Sequence, residues 1–149
     1  MAELATALRA TSIAYLDTAP LIYVIEDHPT FAPLVAPLLD AIDRGEKRGI
    51  SSFLTLAEIL VQPYRRRRAD LAARYRELLV GSPNMRLLPL DEAVAVETAR
   101  IRASYGIRLA DAVHLATAVS AGADAFVTND ARLRRFREVR VIVLTDLTR

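Results

Sequence analysis

Residues 109–130 read LADAVHLATAVSAGADAFVTND, and this stretch predicts a helix followed by a buried strand. Leu109–Ala121 has helical character, and Gly122 provides a typical helix end. Ala125–Thr128 is an apolar run of strand length, and the acidic Asp130 comes just after it. A helix that leads into a buried strand is the building unit of α/β proteins.

The rest of the chain alternates strands and helices in the same manner. Strands are expected at Ile13–Leu16, Gly49–Ser51, Met85–Leu88 and Val139–Leu144. Helices are expected at Thr18–Glu26, with Thr18 as the cap, and at Phe31–Asp43, Thr55–Val61, Asp70–Val80 and Asp91–Tyr105. This alternation predicts an α/β fold with three layers (α/β/α) and a mostly parallel central sheet.

The length and composition are those of a folded chain. With 149 residues, of which 52% are hydrophobic and 26% charged, we expect a single domain over residues 1–149. A net charge of +2 is too small to indicate a nucleic-acid partner by itself. The chain has no cysteine, which excludes disulfides and thiolate catalysis and fits a cytoplasmic location. It has no apolar run of the ~20 residues that span a membrane, so no membrane association is expected.

Four acidic residues stand at the edges of apolar runs: Asp17, Glu58, Asp111 and Asp130. Carboxylates are seldom buried unless another group pairs with them. In a parallel sheet, ligands bind beyond the carboxyl ends of the strands, and all four acids can reach that edge. Hard carboxylate oxygens around one point are typical of a site for Mg²⁺ or Mn²⁺, the ions that commonly serve phosphate-ester chemistry.

Each acid also has a structural interpretation that needs no metal. Thr55 and Glu58 match a capping box at a helix start. Asp111 lies in the first turn of a helix, where the helix dipole favours an anion. Asp130 can cap a short helix that follows it, and Asp17 can form an Asx turn. These interpretations explain the acids one at a time, whereas a shared site explains all four positions together.

Four ordered pieces of the chain carry a family resemblance: Tyr15–Thr18 with Leu21–Tyr23, Leu56–Ile59, Leu109–Ala118, and Val127–Asp130 with Leu133. Through these pieces the chain resembles PIN-domain proteins, and more narrowly the VapC-type toxins of bacterial toxin–antitoxin pairs. It departs from the family pattern in Met1–Ser12, which is either an added N-terminal helix or the result of a misplaced start codon. Thr18 stands where many relatives have Asn or Ser, and it still supplies an oxygen.

The resemblance implies a metal-dependent endoribonuclease with a PIN-like fold. It assigns catalysis and the binding of Mg²⁺ or Mn²⁺ to four carboxylates: Asp17, Glu58, Asp111 and Asp130. Thr128 or Asn129 would then position a carboxylate, a water or a phosphate oxygen. A water activated by the metal would hydrolyse RNA to 5′-phosphate and 3′-hydroxyl ends. The family also implies a small cognate antitoxin as partner, and a homodimer.

Two further features have open interpretations. His114 lies three residues after Asp111 on nearly the same helix face, and it is either a packed, hydrogen-bonded side chain or a metal ligand. A run of four arginines is either a solvated helix face or a contact for the RNA backbone: Arg65, Arg66, Arg67 and Arg68. The rival function is a non-catalytic PIN-like module that binds RNA or protein. A complete set of four acids argues against that rival.

Overall fold

The computed structural model describes residues 3–148. The strands are β1 (Ile13–Leu16), β2 (Arg48–Ser52), β3 (Met85–Leu88), β4 (Ala125–Thr128) and β5 (Arg140–Val143). The helices are α1 (Glu3–Ala7), α2 (Thr18–Ile25), α3 (Ala32–Asp43), α4 (Phe53–Ile59), α5 (Val61–Arg65), α6 (Ala69–Val80), α7 (Glu92–Tyr105) and α8 (Leu109–Ser120). Short 3-10 helices lie at Ala131–Arg135 and Leu144–Thr148. No helix within residues 3–148 is long and apolar enough to cross a membrane.

The strands form a parallel sheet in the order β3-β2-β1-β4-β5. β1 is central, and Tyr15 is level with Ile50 of β2 and with Phe126 of β4. Helices pack on both faces of this sheet, so the predicted three-layer α/β/α architecture is confirmed. Because β1 lies between β2 and β4, the carboxyl ends of these three strands meet at one edge, where ligands bind in such folds.

The two faces of the sheet bury different side chains, because strand residues alternate between faces. On one face, Ala14, Leu16 and Val127 pack with helices α1 to α4 and with α6. On the other face, Tyr15 stacks on Phe126 with ring centroids 5.0 Å apart, in the cluster formed with α7 and α8. The central strands β1 and β4 are therefore covered on both sides, which is why their sequences are continuous apolar runs.

The segment before β1 is part of the core. Leu4 and Leu8 are buried in the same cluster as α3, and each stabilises the fold by about 1.5–3 kcal/mol. The ammonium group of Lys47 donates to the carbonyl oxygens of Leu8 and Thr11, both at 2.7 Å, and holds the end of this segment in place. A short helix, α1, lies in this segment, and the first two residues lie outside the described residues.

The capping box predicted at Thr55 and Glu58 is wrong. α4 starts at Phe53, and Ser52 caps it by accepting from the Leu54 amide at 3.0 Å. Thr55 is buried inside the helix and cannot cap its start. Glu58 therefore has no capping role, and its side chain is available to the edge of the sheet.

Helix α7 ends as its glycine signal predicts. Gly106 has a φ of 65°, a left-handed conformation that costs a residue with a Cβ about 1–2 kcal/mol. The chain reverses there and starts α8 at Leu109, at the carboxyl edge of the sheet. This reversal brings Asp111, in the first turn of α8, to the same edge as the ends of β1 and β4.

Candidate functional site

The carboxyl edge of the sheet gathers the four predicted acids. Asp17 follows β1, and Asp130 comes just after β4, the neighbouring strand. Glu58 lies in α4, which follows β2 on the other side of β1, and Asp111 lies at the start of α8. The parallel topology thus brings together residues that are far apart in the sequence.

Both carboxylate oxygens of Asp17 are held by hydrogen bonds. Oδ1 accepts from the Thr18 amide at 2.8 Å and caps α2. The sequence analysis predicted Thr18 as this cap, and that prediction is wrong because Asp17 takes the role. Oδ2 accepts from the Thr128 hydroxyl at 2.7 Å. That hydroxyl is buried, and it accepts from the Asp130 amide at 3.1 Å. Thr128 thus fixes the orientation of the Asp17 carboxylate.

Glu58 pairs with a buried histidine. Its Oε1 accepts from Nε2 of His114 at 2.7 Å and from the Thr18 hydroxyl at 2.9 Å. Burial opposes ionisation of Glu58, but the hydrogen bond and charge of His114 outweigh it and lower the pKa of Glu58. Burial also disfavours charged His114, but the hydrogen bond to Glu58 and the charges of Asp17, Glu58 and Asp111 raise its pKa overall. The two shifts agree, and they favour a charged pair.

His114 is packed into the core, as one of its two interpretations predicted. Its side chain is 2% exposed, and Nδ1 lies 2.7 Å from the hydroxyl of the fully buried Tyr15. When His114 is protonated, Nδ1 donates to the Tyr15 oxygen and Nε2 donates to Glu58. Nε2 also lies 3.7 Å from Oδ1 of Asp17. His114 therefore connects two of the acids to the core, a role that motif spacing does not reveal.

Asp111 carries charge that the protein does not fully balance. Burial of its carboxylate, together with the charges of Asp17 and Asp130, raises the pKa of Asp111. Arg108 and Arg132 act in the opposite direction without outweighing these effects. Nη2 of Arg108 lies 3.6 Å from Oδ2 of Asp111, which is an ion pair but too long for a good hydrogen bond. An added cation would relieve the remaining repulsion.

Asp130 is paired with an arginine two residues further on. Its Oδ1 accepts from the amide and from Nε of Arg132, at 3.0 and 2.9 Å, and its Oδ2 accepts from Nη2 at 2.6 Å. The hydrogen bond from Arg132 is the main reason that the pKa of Asp130 is lowered. The amide contact caps the 3-10 helix at Ala131–Arg135, so the predicted capping role of Asp130 is confirmed.

Asn129 braces the surroundings of the site. Its Nδ2 donates to the Tyr23 hydroxyl at 3.0 Å, and its Oδ1 accepts from the Thr145 amide at 3.0 Å. These bonds tie the end of β4 to α2 and to the C-terminal 3-10 helix. Of the three supporting residues proposed from the sequence, Thr18 and Thr128 donate to an acid, whereas the side chain of Asn129 has no hydrogen bond to one within residues 3–148.

The four-arginine run lies on the surface, at the end of α5 and in the turn before α6: Arg65, Arg66, Arg67 and Arg68. Arg68 pairs with Asp70 at 3.0 Å. Within residues 3–148, no hydrogen bond or ion pair joins this run to the four acids. Its contact with RNA stays a prediction. The arginines that contact the acids are Arg132 and Arg108. Sequence reasoning missed Arg108. Its position directly before the start of α8, three residues ahead of Asp111, is the feature that could have indicated it.

The carboxylate oxygens of the four acids are chemically suited to bind a hard divalent ion. Carboxylate oxygens suit Mg²⁺ or Mn²⁺, and the chain has no cysteine for a zinc site. In residues 3–148, no three histidine, aspartate or glutamate side chains are arranged to hold one ion as they stand. Two acids are engaged by the protein's own cations, Glu58 by His114 and Asp130 by Arg132. An ion would relieve the unbalanced charge of Asp111, and Glu58 and Asp130 would have to exchange partners to join it.

Comparison with known proteins adds independent information. The family model of the PIN domain matches residues 14–139. VapBC2 from Rickettsia felis, bound to a DNA fragment from its promoter, superposes with a TM-score of 0.71 and 16% identity over 88% of this chain and 98% of that chain. A toxin–antitoxin complex from Klebsiella pneumoniae gives 0.67 and 19%, over 88% and 97%. VapBC-5 from Mycobacterium tuberculosis, from a family of toxin–antitoxin systems, gives 0.56 and 25%, over 89% and 98%. No curated protein matches the sequence.

The matched residues cover most of the chain and include all four acids, from Asp17 to Asp130. The solved structures share the fold across nearly their whole length, in agreement with the layered parallel sheet described above. Sequence motifs, family model and architecture therefore agree, and the chain belongs to the PIN-domain family.

Proposed function

We propose that this protein is a divalent-metal-dependent endoribonuclease and the toxin of a type II toxin–antitoxin pair. The observation that carries the proposal is the meeting of four acids at the carboxyl edge of the sheet: Asp17, Glu58, Asp111 and Asp130. Asp17 and Asp111 would hold Mg²⁺ or Mn²⁺, with Glu58 and Asp130 as the further ligands. A bound ion of this kind supplies an activated water and neutralises charge on a phosphodiester.

The chain's own residues prepare the site for this chemistry. The Thr128 hydroxyl holds the Asp17 carboxylate in one orientation, which reduces the entropy lost when a ligand binds. His114 and Thr18 hold Glu58 ionised and directed to the same edge. In-line hydrolysis at phosphorus then releases the 3′ oxygen of the preceding ribose and leaves a 5′-phosphate on the other fragment.

Cleavage of total cellular RNA, with and without Mg²⁺, tests the nuclease. Asp17→Asn and Asp111→Asn should abolish cleavage, and excess EDTA should do the same to the wild type. Glu26→Gln is the matched control, because Glu26 is an exposed carboxylate at the opposite end of the helix that Asp17 caps. Cleavage that persists in EDTA, or in both Asp variants, would refute the proposal. Mapping of the cut ends for 5′-phosphates tests the water-mediated route.

A groove formed by α2, α3 and α6 supports the antitoxin partner. It is a cavity of about 670 Å³ between these helices, and α2 is the helix that Asp17 caps. Its walls are apolar side chains of these helices: Leu21, Val24, Ile25, Leu39, Leu78 and Leu79. Charged residues on its edge are mostly acidic: Asp40, Asp43, Glu77 and Arg74. An amphipathic segment with basic flanks would complement both features, and the solved complexes named above pair their toxins with antitoxins.

Coexpression tests the partner. The chain alone should arrest growth, and the product of a small gene beside its own should restore it and copurify with it. Leu78→Glu should prevent copurification without loss of RNA cleavage, because Leu78 is an exposed apolar residue of the groove. Val96→Glu, at another exposed apolar position, on α7, is the control. Copurification of the Leu78→Glu variant at the wild-type level would exclude the groove. The homodimer stays a prediction that the molar mass in solution tests.

One observation favours the alternative, a non-catalytic module that binds RNA or protein. Glu58 and Asp130 already pair with His114 and Arg132, so two of the four acids of the site have a basic partner within the protein. In the alternative these pairs are permanent. RNA that binds but stays intact in Mg²⁺, with no rise in melting temperature on addition of Mg²⁺ or Mn²⁺, would select this function.

A further inference from the structure

Two exposed arginines flank the same pair of acids. Arg108 directly precedes α8 and lies 3.6 Å from Asp111, while Arg132 follows β4 and holds Asp130 with two side-chain hydrogen bonds. The charges of both arginines act on both acids. Arg108, Arg132, Asp111 and Asp130 therefore form one electrostatic cluster, which we call the open half of the site.

Both guanidinium groups keep donors free for a ligand. A guanidinium carries five N–H donors. Asp130 takes the Nε donor and one Nη2 donor of Arg132, and the long contact of Arg108 with Asp111 leaves the donors of Arg108 available. The two side chains are 63% and 69% exposed, for Arg132 and Arg108 respectively. Exposed guanidinium groups with free donors suit phosphate oxygens, which they bind in a bidentate manner.

The cations of the site are unequally distributed. A row of ionised carboxylates repels a phosphate chain, so RNA must approach where positive charge is accessible. Within the described residues, the basic side chain in contact with Glu58 is His114, which is 2% exposed and cannot reach a ligand outside. The cations beside Asp111 and Asp130 are exposed. The open half is thus the side on which a polyanion meets the least repulsion.

We propose that Arg108 and Arg132 form a clamp for the phosphates of single-stranded RNA, and that the strand enters the site over its open half. This inference rests on the proposed ribonuclease function and specifies how the substrate is held. Asp111 and Asp130 position the two guanidinium groups at the mouth of the site. Because the contacts are to phosphate, the clamp holds the strand without reading its sequence.

Binding of a single-stranded RNA oligonucleotide, measured in EDTA over a range of salt concentrations, tests the clamp without cleavage. Arg108→Ala and Arg132→Ala should each weaken binding by roughly tenfold. Each should also reduce the log–log salt slope by about 0.7, and the double variant by about 1.4. Arg132→Lys keeps the charge but loses the fork, so it should retain the salt slope while the affinity falls.

The matched control is the double variant Arg48→Ala/Arg140→Ala. These exposed arginines lie at the amino ends of β2 and β5, at the opposite edge of the sheet, and removing them changes the net charge equally. The clamp is wrong if the Arg108→Ala/Arg132→Ala variant keeps the wild-type slope or loses no more than this control. Cleavage by the wild type in Mg²⁺, assayed in parallel, separates the two proposals. Wild-type cleavage with an unchanged slope rejects the clamp alone, and lost RNA binding without any wild-type cleavage rejects the nuclease alone.

Discussion

The open half of the site differs in its physics from the inner half, which consists of Asp17, Glu58, Thr128 and His114. In the inner half, a buried hydroxyl and a buried imidazole hold the carboxylates. In the open half, exposed guanidinium groups do so. Buried hydrogen bonds are costly to break, whereas exposed ion pairs exchange readily with solvent and ligands. The inner half is therefore the more rigid scaffold, and partners exchange more readily in the open half.

The largest effect is expected where the inner half joins the core. His114→Ala should lower the free energy of unfolding by about 3 kcal/mol, because it leaves a cavity and unpairs the Tyr15 hydroxyl. Tyr15→Phe, which removes only that hydroxyl, should cost about 1 kcal/mol. Urea denaturation measures both. A loss below about 1 kcal/mol for His114→Ala would show that the imidazole is not part of the scaffold.

Removal of the buried hydroxyl should have the next largest effect. Thr128→Val keeps the shape but unpairs the Asp17 carboxylate and the Asp130 amide, and we expect a loss of about 2 kcal/mol. Thr18→Val is the control within the same site. Its hydroxyl bonds the half-exposed Glu58, where water can replace it, and it should cost less than about 1 kcal/mol. Equal melting temperatures for the two variants would contradict the difference in burial.

Neutralising one acid from each half should change stability in opposite directions when no metal is present. Asp17→Asn keeps the cap of α2 but replaces the oxygen that accepts from the Thr128 hydroxyl with an NH2 group, so it should destabilise by about 1 kcal/mol. Asp111→Asn removes repulsion with Asp17 and Asp130, so it should stabilise by a few tenths of a kcal/mol. Thermal melts in EDTA decide the signs. A clear loss in both variants would show that Asp111 is structural too.

The smallest effect on stability is expected for the arginines of the open half. Arg108→Ala and Arg132→Ala should each change the free energy of unfolding by no more than about 0.5 kcal/mol, because exposed ion pairs contribute little. The same variants should weaken RNA binding strongly, so stability and binding separate in this half. Unfolding curves recorded on the samples used for RNA binding measure this. A loss above about 1 kcal/mol would assign these arginines to the scaffold.

The strands show how far local sequence signals reach. β1, β3 and β4 lie where the sequence predicted them, and the apolar runs of β1 and β4 indicate buried strands directly. β2 was expected as a short strand at Gly49–Ser51, and it extends over Arg48–Ser52. Its two serines are buried because the structure satisfies their hydroxyl groups. The Ser51 hydroxyl donates to the Leu16 carbonyl at 2.7 Å, a contact between strands that no local pattern contains.

Local sequence signals predict the candidate site only in part, as they do the strands. Apolar periodicity and helix ends along the chain were enough to predict a parallel sheet with four acids at its carboxyl edge, because topology alone brings strand ends together. The partner of each acid was not predictable in this way. That Glu58 meets His114, and that Arg108 joins Arg132 beside Asp111, depends on distances set by packing between elements. Electrostatic energies change steeply with distance and burial, so the balance of charge that separates the two halves exists only in the folded chain.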